Sequence, residues 1–262
     1  TGTRQFWGRD FLVTGAVLPA GQPGMKDVED AVTALAQHPN VGPFLSRRLI
    51  QRLVTSNPST GYIARVGAVF NNNGQGVRGD LGAVVRAILL DPEARDGARL
   101  QDVTFGKQRE SYVRLVNLAR AFSAVASNGF YEMWWLEEMF AMQPMSSPSV
   151  FNFFTPDFRP NGPLKDAGLT APEFQITTAV TGISAPNHFH TAAYYGLNRW
   201  PGDPDTTVYL NLNDLLGLAG DPDALLQRLD LVLTYGNLRP AQHQIIREAL
   251  EERDPPQHRR LI

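Results

Sequence analysis

Leu45, Leu49 and Leu53 fall at i, i+4, i+8 within GPFLSRRLIQRLV, and comparable helical spacing recurs in short stretches along most of the chain. Side chains at that spacing share one helix face, so each stretch must bury a stripe against a neighbour. In STGYIARVGAVF the stripe is Tyr62, Ile63, Val66, Val69 and Phe70. In GDLGAVVRAILLDPEAR it is Leu81, Val84, Val85 and Ile88, with Asp80 placed to cap the helix. Residues 107–126 carry Tyr112, Leu115, Val116, Ala119 and Phe122 on one face. The 23 glycines and 19 prolines interrupt this pattern so often that long continuous helices are excluded.

Further helices are expected in DVEDAVTALAQ, whose acids suit a first turn, and in FYEMWWLEEMFAM, APEFQITTAVTG, DALLQRLDLVLTYG and RPAQHQIIREALEER. TTVYLNL reads as a short strand, and residues 143–171 as mostly ordered loop. The fold class that follows is mainly α: a multi-helix globular bundle with long ordered Pro/Gly-rich loops and at most a short β element. Composition suggests an N-terminal helical subdomain over 1–142, an aromatic Pro/Gly-rich connector over 143–172, and a C-terminal helical subdomain over 173–262, packed as one unit.

The chain has no cysteine, which excludes disulfides, zinc–thiolate sites and cysteine nucleophiles. Its formal net charge is −2 and it has no basic stripe, so nucleic acid is not an expected partner. No apolar run reaches the roughly 20 residues that span a bilayer, and TGTRQFWGRD does not read as a signal peptide.

Several motifs occur in an order that resembles a bacterial family, domain of unknown function 1800. They are residues 38–95 from HPNVGPFLSRRLIQRLV through LLDPEAR, then GKQRESYVRLVNLARAF, then QPMSSPSVFNFFTPDFRPNGPL followed by APEFQI, and finally LDLVLTYGNL. The resemblance covers nearly the whole chain and implies the C-terminal half of a longer, largely helical, exported protein, periplasmic or extracellular. It implies as partner the protein's own N-terminal half or another subunit. Such proteins are often encoded beside a sulfatase-like family, domain of unknown function 1501. No reaction, catalytic residue or cofactor is implied.

The residues themselves offer few sites. His38 precedes a proline and suits a helix C-terminus as well as it suits a base. Arg48 and Arg52 share a helix face and are candidates for gripping an anion, against the plainer reading of salt bridges between helices. His188 and His190 in PNHFH would converge on a metal only if extended, with Asn187 adding an oxygen, and no other metal motif supports them. The RGD at 78–80 resembles an adhesion tripeptide, but Asp80 already serves as a cap. NNNGQGVRGDLG lacks the lysine and hydroxyl of a phosphate loop, and no G-x-S-x-G elbow is present. Thr1 as a terminal nucleophile is rejected, because such enzymes use stacked sheets.

The densest constellation is residues 130–158, with Trp134, Trp135, four phenylalanines in SVFNFFTPDF and four of the five methionines. An aromatic groove and packing both fit; packing is the preferred reading, so Phe151, Phe153, Phe154 and Phe158 are expected to be buried. The function expected is a helical accessory or interaction module of an exported protein. The alternative is an enzyme acting on an extracellular polymer such as a polysaccharide, with His38 or Glu137 and Glu138 near the chemistry.

Overall fold

Asp80 ends the extended segment before a helix and accepts a hydrogen bond from Ala83 N–H at 3.0 Å, as its position in the sequence predicts. Ser59, Asp91 and Asp221 cap three other helices in the same way. In the computed structural model, residues 11–13, 15–133, 136–198 and 206–252 are described. In chain order the elements are β1 (Phe11–Val13), β2 (Ala16–Leu18), α1 (Gly24–Gln37), α2 (Val41–Leu53), α3 (Thr60–Asn71), α4 (Leu81–Leu90), α5 (Pro92–Arg95) and α6 (Ser111–Ala121). They continue with β3 (Val125–Ala126), α7 (Leu136–Phe140), α8 (Pro163–Asp166), α9 (Thr181–Tyr195), β4 (Val208–Tyr209), α10 (Asn213–Leu216), α11 (Pro222–Thr234) and α12 (Pro240–Glu252). The fold is mainly α. Among the described residues the only sheets are the antiparallel pairs β1–β2, with Leu12 opposite Val17, and β3–β4, with Val125 opposite Tyr209.

Contacts divide the chain into two units. The first contains residues 1–107 and 161–171, and the second 108–160 and 172–262. The boundary therefore falls at Lys107–Gln108, away from the 142–143 break suggested by composition, and residues 161–171 leave the supposed connector for the first unit. A long-range polar clasp joins the 161–171 segment to the first unit. Asn57 Nδ2 donates to the Thr170 carbonyl and Asn57 Oδ1 accepts from Thr170 N–H, both at 2.9 Å, while Thr170 Oγ1 donates to the Ser56 carbonyl at 3.1 Å.

In the first unit α2, α3 and α4 pack on Ile50, Tyr62, Val66, Phe70, Val84 and Ile88, all buried. Each such burial stabilises by roughly 1.5–3 kcal/mol. The stripes of α3 and α4 are correct in their buried members, but Leu81, in the first turn of α4, is exposed. In α2 Leu53 is exposed, Leu45 and Leu49 are half-buried, and the buried face runs through Ser46 and Ile50. Gly42 lets α2 approach α3, since a Cβ there would meet the Gly67 carbonyl at 3.3 Å.

In the second unit one core gathers Leu115, Leu136, Phe140, Ala185, Ala192, Leu197 and Val208; a smaller one holds Phe122, Leu215 and Leu225. Three helical expectations change here. The helix expected over 107–126 spans only 111–121, because the chain turns into β3. Residues 130–133 are not helical, so the helix expected at FYEMWWLEEMFAM is reduced to α7. APEFQITTAVTG begins as a 3₁₀ turn, Pro172–Ile176, and the full helix starts at Thr181.

The phenylalanine run is also corrected. Phe154 is 3% exposed, Phe153 and Phe158 are half-buried, and Phe151 is 74% exposed. Asn152, between Phe151 and Phe153, has φ 72°, and that left-handed residue breaks the local periodicity.

Candidate functional site

His38 is the C-cap of α1. Its backbone N–H donates to the Leu35 carbonyl at 3.1 Å, and its Nδ1 accepts from Asn40 N–H at 3.2 Å. Arg78 reaches the same helix end, Nε donating to the Ala36 carbonyl and Nη2 to the His38 carbonyl, each at 3.1 Å. These contacts satisfy orphan carbonyls with a cation where the helix dipole favours one. The guanidinium of Arg78 also lies 5.0 Å from the Phe70 ring and donates to Asn71. The arginine of the RGD triplet is thus engaged within its own unit, and Asp80 is engaged as a cap. The Ala83 N–H, then the Asn73 amide, hold the Asp80 carboxyl below its usual pKa.

Arg48 donates to Gln51 Oε1 at 3.1 Å and sits 5.4 Å from the Phe44 ring centroid, all on α2. Arg52 is exposed, and its carbonyl accepts from Lys107 Nζ at 3.1 Å. Trp134 and Trp135 lie outside the described residues, as does Thr1.

Asn187, His188 and His190 are all within α9, which corrects the extended conformation a metal pair would need. Helical positions i and i+2 point about 200° apart. Accordingly His188 is buried edge-on against Phe140, ring centroids 5.2 Å apart, while His190 is exposed against Tyr194. Asn187 is exposed, and its carbonyl accepts from Thr191 Oγ1 at 2.9 Å. No group of three or more His, Asp or Glu suited to a metal occurs among the described residues. Glu137 and Glu138 are exposed in the first turn of α7, in the second unit, whereas His38 belongs to the first.

Two features were not singled out by sequence. The first is the orientation of α1. Met25, Val28, Val32 and Leu35, at i, i+3, i+7 and i+10, form one stripe, and they are 71%, 51%, 59% and 51% exposed. The half-buried residues are Asp27, Asp30, Ala31 and Ala34, on the opposite side. Gln22 Nε2 donates to Asp27 Oδ1 at 2.6 Å and to Asp30 Oδ2 at 3.2 Å, so the acidic face is the one tied down. The apolar pattern was legible; its outward direction was not, because periodicity finds a face without saying what it meets.

The second is a cavity of about 440 Å³ inside the second unit. α6 contributes Leu118 and its C-cap residue Phe122, α9 contributes Phe189, and α11 contributes Leu229 and Val232. The polar groups at its edge are Arg109, Arg114 and Asn117, with the Tyr194 and Tyr235 rings. Arg114, Asn117, Leu118 and Ala121 follow i, i+3, i+4, i+7, the one sequence signal that could have placed them together.

Residues 1–261 match a family model described as "Protein of unknown function (DUF1800)". The chain belongs to that family. The match is to the family over nearly the whole chain, rather than to a stated half of it. No curated protein and no solved structure matches this family member. No helix among the described residues is long and apolar enough to cross a membrane.

Proposed function

We propose that this chain is a helical interaction module of an exported bacterial protein, docking through α1 onto another folded surface. The single observation that carries the reading is the inverted helix. A surface helix ordinarily turns its apolar stripe inward and its charges outward. Here Met25, Val28, Val32 and Leu35 face solvent, while Asp27 and Asp30 are half-buried and accept hydrogen bonds from Gln22 just before the helix. Leaving four large apolar side chains in water forgoes burial worth roughly 1.5–3 kcal/mol for each, which a partner recovers on docking.

The partner is a protein surface with an apolar groove, in the manner of a helix anchored by i, i+3 and i+7 side chains. The family resemblance suggests a separate subunit, including a sulfatase-like protein, in the periplasm or outside the cell.

A photo-reactive side chain placed at Val32 in the natively expressed protein tests the reading. Cross-links from that position to one defined polypeptide or segment support it. A Val28→Lys, Val32→Lys variant then loses that association while its far-ultraviolet circular dichroism stays unchanged. If the native isolate is monomeric and Val32 cross-links to nothing, the reading fails.

A further inference from the structure

The cavity beneath α6 and α11 combines apolar walls with an unbalanced cationic edge. Its volume of about 440 Å³ lies within the range of roughly 300–1,000 Å³ typical of small-molecule sites. Among the described residues no aspartate or glutamate lines it. Neither Arg109 nor Arg114 forms an ion pair with a carboxylate among the described residues. Arg114 is nonetheless held in place: Nη2 donates to Ser111 Oγ at 2.9 Å, and its guanidinium carbon lies 5.4 Å from the Phe189 ring centroid. Partial burial lowers the Arg114 pKa. Arg109 and Arg114 are both exposed at the cavity edge, and the Arg114 guanidinium, oriented by a hydroxyl and an aromatic face, keeps further N–H donors available for an acceptor.

The edge also has backbone definition. Tyr235, whose ring borders the cavity, is the C-cap of α11 with φ 58° and ψ 35°, a left-handed conformation that costs a tyrosine roughly 1–2 kcal/mol.

We propose that this cavity binds a single-chain amphipathic anion. Its acidic head is held by Arg109 and Arg114 with the Asn117 amide, and its alkyl chain lies against Leu118, Leu229 and Val232. The chemistry selects this class. Arginines without a carboxylate partner among the described residues call for an anion, and the predominantly apolar walls formed by Leu118, Phe122, Leu229 and Val232 call for an alkyl chain. The inference is independent of the α1 docking reading, since it rests on the second unit alone.

The test is isothermal titration of the purified chain with laurate, below its micelle threshold, beside dodecanol, acetate and dodecyl phosphate. Laurate or dodecyl phosphate should bind at one per chain, the tighter of the two separating a fatty acid from a phosphate-headed lipid. Acetate should not bind, and dodecanol should bind at least about tenfold more weakly, because it lacks the charge that arginine recognises. Arg109→Gln with Arg114→Gln should remove that advantage while leaving the dodecanol affinity unchanged. Leu229→Trp, which fills the cavity, should weaken both; the arginine variant keeps the test decisive if the tryptophan perturbs folding. Failure of both anions to bind overturns the proposal, as does an advantage over dodecanol that survives removal of both arginines.

Discussion

Arg65 closes on Asp91 with two parallel hydrogen bonds, Nε to Oδ2 at 2.8 Å and Nη2 to Oδ1 at 2.7 Å. Asp91 is buried, and its Oδ1 also accepts from Glu93 N–H at 2.8 Å to cap α5. One carboxylate thereby fixes the end of α4, the start of α5 and a side chain of α3.

That geometry predicts an acid-sensitive contribution. The Arg65 hydrogen bond, which outweighs the opposing effect of burial, and the Glu93 N–H hold the Asp91 carboxyl below its usual pKa. Its folded pKa therefore lies under the unfolded value of about 3.9. The stabilisation is present above that value and is lost as pH falls through the folded pKa. Asp91→Asn should cost about 1–3 kcal/mol at neutral pH. The difference from wild type should shrink below about pH 4. Urea unfolding midpoints of both proteins at neutral and acid pH check this; a constant difference would contradict it.

Gly196 ends α9 at φ 96° and ψ 165°, so that Leu197 N–H can donate to the Val208 carbonyl at 2.8 Å. A Cβ there would lie 2.6 Å from Thr207 Cγ2 and 2.9 Å from the Val208 oxygen. Gly196→Ala should destabilise by about 3 kcal/mol through backbone strain and overlap. Gly182→Ala, inside α9 with open space at the Cβ position, should be neutral or stabilising by up to about 1 kcal/mol. Equal effects at the two sites in chemical denaturation would contradict this reading.

Asn57→Ala removes both hydrogen bonds to the Thr170 backbone while leaving the Ser56–Thr170 contact. The loss should be about 2 kcal/mol, concentrated on the returning segment. Limited proteolysis should then cut within residues 161–169 faster than in wild type. Unchanged cleavage there would show that the clasp does not hold the segment.

In the phenylalanine run, Phe154→Ala should cost about 3–5 kcal/mol because the side chain is nearly enclosed. Phe151→Ala should stay within about 0.5 kcal/mol, since that ring is largely in water. Thermal unfolding of the two variants distinguishes them, and similar shifts would refute the burial assignment.

This pair also shows where the sequence was readable. Tyr62, Val66 and Phe70 follow an unbroken helical period, and all three are buried. Asp80 occupies a position where local chemistry alone dictates a cap, and it is one. Phe151 and Phe154 lie where Asn152 reverses the backbone, so no period relates their directions. The Asn57–Thr170 clasp joins residues 113 apart, beyond any local pattern. His188 and His190 were legible as a spacing, but only the helix through Pro186 separates their faces. Arg114 became conspicuous only beside the apolar cavity, where it forms no ion pair among the described residues.

Hydrogen exchange along α1 tests the docking reading most directly. Backbone amides of residues 28–37 would be compared between the isolated chain and the protein in its native assembly. Docking predicts that exchange of these amides slows by at least about tenfold in the assembly, because the partner must leave before the helix can open. Exchange across α1 that is identical in both states would contradict the account.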